Sequence, residues 1–508
     1  MHARQKALSI VWMSIAVGLA GVKHDASVAL ATDGRVLAAA PQERITRVRS
    51  AGFGSSGFPD DVLDVLLSYT AHKRGDVSAY AVAEDAPLPG LPVSRIEHHR
   101  SHAMASFLPS PYASAVVVVC DQDGPEVSVW NGSGEDVTRV DWTWHGPGPA
   151  RVHSECARIL GFSSGGADQR MDAAARLATG HRDARADALM TFAGDRLRLA
   201  PDWQDALIAW SREAGQAFGS VASAVQSRLA DIIIALLADV KTRFPEQTRV
   251  CLGGSLFYSS FINTAVKRAG VFDEVFLPIH PGNAGLAIGN ALFASGGGRT
   301  AVSPFLGPSY TSEDVKAALD NCKLTYKWVS EDEAIAAAVK DLRNGRLVAW
   351  FDGRMEWGPR ALGARSILAN PFAPYALENL NRFLKQREPW RGYALSGLAP
   401  AVAEHFDGPA ASPFMECDYV PRDPKRFEHI LPAPAAGVRV QTVGDDLELP
   451  RFRKLLEAFG DAAGAPILVN TSFNGFREPI VCSPRDAVRV FYGTGLDTLV
   501  IGQFIIRK

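Results

Sequence analysis

The stretch from Ser14 to Ala40, SIAVGLAGVKHDASVALATDGRVLAAA, decides the fold class. Ile15 to Val22 and Ala26 to Ala31 read as a pair of strands, and Thr32-Asp33-Gly34 is a turn into a third strand, Val36 to Ala40. Upstream, Met1 to Lys6 is basic and Ala7 to Val22 is largely apolar, which superficially resembles an export signal. The apolar run, however, passes without a cleavage-like polar break into Lys23-His24-Asp25 and then into the second strand. It therefore reads as the first core strand, with Met13 an alternative start and Met1 to Trp12 an extension.

Outward from this stretch, strand-like and helical patterns alternate. Ala113 to Cys120 is a Val-rich run ending at Asp121, the pattern of a buried central strand. Ser220 to Lys241 carries apolar residues at helical spacing, and Arg249 to Leu252 is a strand leading into Gly253-Gly254 and a helix start. Ala284 to Ala294 is small and apolar, a well-packed helix. The pattern stops at Ser295-Gly296-Gly297-Gly298-Arg299, followed by Ser303-Pro304 and Gly307-Pro308, which marks a linker. Helices at Ser312 to Leu319 and Glu331 to Leu342 follow, then strands at Leu347 to Phe351, Pro466 to Asn470 and Thr498 to Ile501. No internal repeat is visible, and two α/β domains, 1–298 and 299–508, are expected.

A length of 508 residues exceeds what one core usually serves. A net charge of −2 gives no electrostatic footprint for nucleic acid or an anionic membrane, so neither is expected as a partner. No apolar run other than the N-terminal one approaches the roughly 20 residues of a membrane span. The six cysteines are scattered without a CxxC pair, which suits a reducing, cytoplasmic compartment rather than a disulfide framework or zinc knuckle.

Five constellations could carry chemistry. His98 and His102 share one face if Glu97 to Phe107 is helical, and two imidazoles so placed can hold one metal ion; surface histidines are the plainer alternative. His24-Asp25 follows a core strand, where open α/β sheets place ligands, and a histidine there suits a general base. Asp121-Gln122-Asp123-Gly124 after the buried strand fits a metal or phosphate site, or a plain turn. Gly253-Gly254-Ser255 and Pro281-Gly282-Asn283-Ala284-Gly285 are strand-to-helix turns whose N–H groups can hold phosphates, although no Walker A motif is present. Finally, RMEWGPRALGARS (Arg354 to Ser366), KQREPWR (Lys385 to Arg391) and NTSFN (Asn470 to Asn474) combine arginine forks, lysine and neutral donors with tryptophan, proline and glycine. That mixture points to an anion site rather than a solvated basic face.

These motifs, together with HHRSHAMAS (His98 to Ser106), GVKHDASVA (Gly21 to Ala29) and NTSFNGFREPIVC (Asn470 to Cys482), resemble O-carbamoyltransferases of the NodU/CmcH type over nearly the whole chain. The resemblance implies an actin-like (ASKHA-type) ATPase domain followed by a YrdC-like α/β domain. It implies that the second domain makes carbamoyl adenylate from carbamoyl phosphate and ATP, with release of pyrophosphate. The first domain then passes the carbamoyl group to a small-molecule hydroxyl acceptor, as in natural-product tailoring. By position, Arg360, Lys385, Arg391, Ser472 and Asn474, with neighbouring Arg387, match residues that hold carbamoyl phosphate and nucleotide. His98 and His102 match metal ligands, Asp121 a nearby functional carboxylate, His24 the base for the acceptor hydroxyl, and Gly253-Gly254 a wall of the nucleotide pocket. The implied cofactors are ATP, a divalent metal, Fe(2+), in the transfer domain, and Mg(2+) with ATP.

Two departures touch the first domain. Asn283 stands where the family usually has a metal-binding aspartate, and Arg170-Met171-Asp172-Ala173-Ala174 replaces a Lys-x-Met-Gly-Leu-Ala stretch. A tRNA threonylcarbamoylation enzyme with both halves fused, a small-molecule kinase on the actin-like fold, and a nucleotide-binding paralogue that no longer transfers are the competing readings. The pI of 6.6 argues against tRNA. Trp142-Thr143-Trp144 and Trp203 to Phe218 are candidate acceptor walls, and the sequence leaves the acceptor and the oligomeric state open.

Overall fold

The computed structural model describes residues 14–54, 56–83, 88, 92–124, 126–162, 166–193, 195–446 and 448–508. The expected extension Met1 to Trp12 and the alternative start at Met13 lie outside the described residues.

The opening stretch forms β1 (Ile15–Ala20), β2 (Ser27–Thr32) and β3 (Arg35–Pro41), joined by β4 (Val77–Val82) and β5 (Val93–Arg95). Every residue of β1 and β2 is buried. The sheet order is β3-β2-β1-β4-β5, with β1 antiparallel to β2 and parallel to β4. A second sheet contains β6 (Ser114–Cys120), β7 (Val127–Ser133) and β8 (Asp136–Arg139). After a hairpin of β9 (Met190–Ala193) and β10 (Arg196–Leu199), it is completed by β11 (Arg249–Gly253) and β12 (Glu274–Phe276). Its order is β8-β7-β6-β11-β12, with β6 antiparallel to β7 and parallel to β11.

The second sheet thus repeats the order and strand directions of the first. The repetition is one of architecture, and the sequence carries no visible repeat. The repeat is hidden because helices and a hairpin separate β8 from β11, and because the shared property is strand pairing rather than residue identity.

Two helices lie between the sheets: Leu286–Ala294 packs on β1, β2 and β4, and His98–Phe107 packs on β6 and β11. Glycine allows this close approach. A Cβ on Gly18 would stand 2.0 Å from the Ala287 carbonyl oxygen, and one on Gly289 would stand 2.6 Å from the Ala105 nitrogen. The outer face of the second sheet is covered by the helix Phe218–Arg243 and its neighbours. The 41-residue helical stretch Trp203–Arg243 is long and apolar enough to cross a membrane, which corrects the expectation that no further apolar run reaches that length. Its apolar residues, among them Val221, Val225, Leu229, Ile233 and Leu237, are buried in this core.

The chain leaves this region through Gly296, Gly297 and Gly298, all at positive φ. It then forms β13 (Lys327–Trp328), β14 (Val348–Phe351), β15 (Arg365–Ala369), β16 (Ala394–Leu398), β17 (Phe406–Asp407), β18 (Asp418–Pro421), β19 (Val438–Val443), β20 (Ile467–Ser472), β21 (Thr498–Ile501) and β22 (Phe504–Arg507). Among the described residues these make one mixed sheet, β13-β22-β21-β14-β15-β20-β16-β19-β18-β17. Helices Glu331–Arg343 and Pro450–Ala463 bury one face, and Ser312–Asn321 and Pro484–Gly493 the other. Ser330, Thr311 and Ser483 each open a helix with a reciprocal capping box, satisfying otherwise orphaned N–H groups.

Candidate active site between the two halves

Glu97 caps the helix His98–Phe107, its carboxylate accepting from the His99 and Arg100 nitrogens at 3.1 and 2.8 Å. The cap places His98 and His102 on the face turned toward the end of β6, where Asp121 follows. Asp121 Oδ2 stands 3.1 Å from His98 Nε2 and 3.5 Å from His102 Nε2, and Asp121 Oδ1 accepts from the Ser255 nitrogen at 2.7 Å. Burial alone would raise the Asp121 pKa; the nearby His102 charge, with bonds from His98 and Ser255, outweighs it and holds the carboxyl well below the usual range.

The donor atoms of His98, His102 and Asp121 lie within 4.8 Å of one another. The His102 Nε2 is buried without a hydrogen-bond partner, and so is the Oδ1 of Asn283, a residue of the cavity wall. Two imidazole nitrogens, one of them without a hydrogen-bond partner, and a carboxylate fit a divalent transition metal. His99 is committed elsewhere: its ring nitrogens lie 2.7 Å from Ser128 Oγ and 2.8 Å from the Asp123 carbonyl oxygen, and burial lowers its pKa to about 4.

His24 sits on the loop after β1, with Nδ1 2.9 Å from Asp25 Oδ2 and more than half of its side chain exposed. The loop is pinned from behind, because the Asp25 and Ala26 nitrogens donate to the Ser50 and Ala51 carbonyls at 3.2 and 2.8 Å. Gly253 and Gly254 depart from their expected role. Both are buried, a Cβ on Gly254 would stand 2.1 Å from the Cys120 carbonyl oxygen, and its N–H donates to the Pro281 carbonyl. They let β11 approach β6 and the helix His98–Phe107, and it is Ser255 that reaches the cavity.

That cavity, of 1380 Å³, runs between the two halves. His24, Asp121 and Asn283 line it from the first half; Arg360, Lys385, Arg387, Arg391, Ser472 and Asn474 line it from the second. Of the three arginines in the Arg354 to Ser366 motif, Arg360 faces the cavity. Arg354 instead donates to the Leu37, Leu306 and Gly307 carbonyls, and Arg365 lies over the Phe351 ring at 3.6 Å, donating to the Asp352 and Gly353 carbonyls.

The Arg360 loop is shaped by Glu356. Its fully buried Oε1 accepts from the Leu362, Ala364 and Arg365 nitrogens at 2.8, 2.8 and 3.1 Å. Glu356→Ala strands these donors, so unfolding in urea should show a loss of about 3–5 kcal/mol. A loss below about 1 kcal/mol would show that the loop holds its shape without the carboxylate.

Lys385 ends a π-helical turn, Asn379–Lys385, and its Nζ donates to the Ser472 carbonyl, the Asn474 carbonyl and Asn474 Oδ1 at 2.6, 3.1 and 2.6 Å. An ammonium's three hydrogens are thereby used on the Ser472–Asn474 turn, while burial and then the Arg387 charge push the lysine pKa well down. Arg360 and Arg391 are each lowered to about 10, first by burial and then by the neighbouring Arg176 and Arg387 charges. The cavity is thus lined by mutually repelling, desolvated cations, an arrangement whose charge a multivalent anion would offset.

Sequence reasoning missed Arg176 and Arg439, which also line the cavity. Arg176 donates to Asp418 Oδ2 at 2.9 Å and Ser260 Oγ at 2.7 Å, and Arg439 donates to the same Ser260 Oγ at 3.2 Å. Buried Asp172, the departure noted in the sequence, accepts from Ser259 Oγ at 2.8 Å and lies 3.8 Å from Arg176. The available signal for Arg439 was a cation in the otherwise apolar or neutral strand β19.

Comparison with known proteins agrees with this two-part layout. Residues 58–292 match the family described as Carbamoyltransferase N-terminus, and residues 339–508 match Carbamoyltransferase C-terminus. The chain is 28% identical to an uncharacterized protein of Synechocystis sp., over 98% of this chain and 97% of that one. It is 28% identical to nodulation protein NolNO of Sinorhizobium fredii, over 96% of this chain and 79% of that one. It is 29% identical to the 3'-hydroxymethylcephem-O-carbamoyltransferase of Amycolatopsis lactamdurans, over 52% of this chain and 49% of that one. With both parts of the family matched in order along one chain, the protein belongs to the carbamoyltransferase family of the NodU/CmcH type.

Proposed function

We infer that this chain is an ATP-dependent O-carbamoyltransferase with an actin-like transfer unit, 1–298, and a YrdC-like adenylating unit, 299–508. The observation that carries the reading is the shared cavity, which takes His24 and Asp121 from one half and Arg360, Lys385 and Arg391 from the other. Carbamoyl phosphate and ATP are the donors, and a small-molecule hydroxyl is the acceptor.

Carbamoyl phosphate and water give carbamate and phosphate. A carbamate oxygen then attacks the α-phosphorus of ATP, forming carbamoyl adenylate and expelling pyrophosphate. The acceptor oxygen attacks the carbamoyl carbon, its proton leaves to a base, and AMP departs. Arg360, Arg387 and Arg391 face the phosphates and offset charge that grows during adenylation, and Lys385 fixes the Ser472–Asn474 turn beside them. His24, oriented by Asp25, takes the acceptor proton. His98, His102 and Asp121, with Asn283, would hold a divalent metal, which when bound supplies Lewis-acid polarisation of a phosphate oxygen.

The test is release of pyrophosphate and phosphate from the full chain given ATP, with and without carbamoyl phosphate and with no acceptor. Stimulation by carbamoyl phosphate supports the adenylating half, and its absence would overturn the reading. A second reading, a nucleotide-binding paralogue that no longer transfers, is favoured by Asn283 in place of a carboxylate.

A further inference from the structure

One short segment of the first half touches both anion-binding loops of the second. In Gln42–Thr46 and its continuation to Gly52, Arg44 is fully buried and donates to the Glu356 and Gly358 carbonyls at 3.3 and 2.9 Å, immediately before Arg360. Arg47 donates to the Pro479 and Ile480 carbonyls at 2.7 and 2.5 Å. Those carbonyls close the loop that starts at Asn474. The Asn474 amide spans the loop, Nδ2 donating to the Glu478 carbonyl at 2.6 Å while Oδ1 accepts from Lys385 and from Ser472.

The same segment backs the His24 loop. The Gln42 nitrogen donates to the Ala26 carbonyl at 2.7 Å, Gln42 Nε2 donates to the Gly52 carbonyl at 2.9 Å, and the Ser50 and Ala51 carbonyls accept from Asp25 and Ala26. Glu43 ties the segment to itself by accepting from the Ser50 nitrogen at 3.0 Å. At Arg47 the backbone turns into the left-handed region, φ 63°, and its N–H donates to the Glu43 carbonyl; its guanidinium also donates to the Arg44 carbonyl at 3.4 Å and lies 3.5 Å from Asp486 Oδ1. Two guanidinium groups therefore read four main-chain carbonyls across the boundary, a use that needs arginine's fork and that a single lysine cannot reproduce.

We propose that the segment Gln42–Gly52 is a brace that fixes the two anion loops relative to each other and to His24, with Arg47 the positioning residue for the Lys385–Asn474 turn. Glu43, Arg44, Arg49 and Ser50 of the segment line the cavity, whereas Arg47 lies outside its lining and acts by holding the loop against which Lys385 and Ser472 are set. The proposal rests on the carbamoyl-phosphate reading of the cavity, and the experiment separates the two.

Arg47→Ala, Arg47→Lys and Arg268→Ala are compared with the unaltered full chain in carbamoyl-phosphate-dependent pyrophosphate release. Arg268 also crosses the boundary, to Asp407, but on the surface, far along the chain from the anion loops. Losing two bonds from a charged donor should raise the KM for carbamoyl phosphate about 10- to 100-fold in Arg47→Ala, with kcat little changed. Arg47→Lys, which can serve one carbonyl, should fall between, and Arg268→Ala should match the unaltered chain. An unchanged KM in Arg47→Ala, or an equal rise in Arg268→Ala, overturns the brace; so does a folded Arg47→Lys with the KM of the unaltered chain. If the unaltered chain shows no stimulated release, the functional reading fails by itself. The brace is then judged by calorimetric titration with inorganic phosphate, where Arg47→Ala and Arg47→Lys should bind more weakly and equal affinity would sink it.

Discussion

Arg360→Ala should cut carbamoyl-phosphate-dependent pyrophosphate release by about 100- to 1000-fold, the usual effect of deleting one preorganised donor to a developing anion. The reason is its placement. Arg360 stands at the end of a loop whose backbone is fixed from one side by Glu356 Oε1 and from the other by Arg44, so its cation is held in position before any ligand arrives. The same placement predicts an opposite effect on stability. Burial and the Arg176 charge both disfavour the Arg360 guanidinium, so removing it relieves repulsion in the ligand-free protein. Thermal melts of Arg360→Ala should therefore show a midpoint equal to or above that of the unaltered chain, while stabilisation by added pyrophosphate shrinks. Full activity in the variant would remove the anion-site assignment, and a lowered melting point would show that the residue is structural.

The second large effect concerns metal. His102→Ala should reduce the divalent metal bound per chain to a small fraction, measured by elemental analysis after growth in metal-supplemented medium. His102 is almost fully buried and its Nε2 lacks a hydrogen-bond partner, so the nitrogen's natural use is as a ligand. His98→Ala should act in the same direction. Asn283→Asp, which restores a charged oxygen at the cavity wall, should tighten metal binding by more than the about tenfold that outer-shell changes cause. Metal content indifferent to His102→Ala would mean that the His98–His102–Asp121 cluster is a hydrogen-bonded group and nothing more.

The expectations read from the sequence divide along a physical line. Strands such as Ile15–Ala20 and Ser114–Cys120 are legible because they are buried on both faces, so their composition is continuous and unmistakable. The helix His98–Phe107 carries the spacing that brings two imidazoles to one carboxylate, and the arginine-rich motifs place six expected residues on one cavity. What stayed hidden depends on partners distant in the chain. Arg354 and Arg365 look equivalent to Arg360 in the sequence, yet their forks satisfy main-chain carbonyls at Leu37, Leu306, Asp352 and Gly353. Gly253 and Gly254 look like a phosphate loop, yet their missing side chains serve the approach of neighbouring backbone. Arg176 and Arg439 meet through a shared hydroxyl, Ser260, that no local pattern announces.

The matching strand orders of the first two sheets have a further consequence. β1 and β6 occupy the same central place in their sheets, and each hands the chain to the cavity at its carboxyl end, β1 to His24-Asp25 and β6 to Asp121. These are topologically equivalent positions in a pseudo-symmetric pair. One copy presents an exposed imidazole suited to moving a proton, and the other a buried carboxylate suited to fixed charge. The asymmetry of the chemistry thus resides in the side chains at two corresponding strand ends, while the scaffold that aims them is built twice from the same plan.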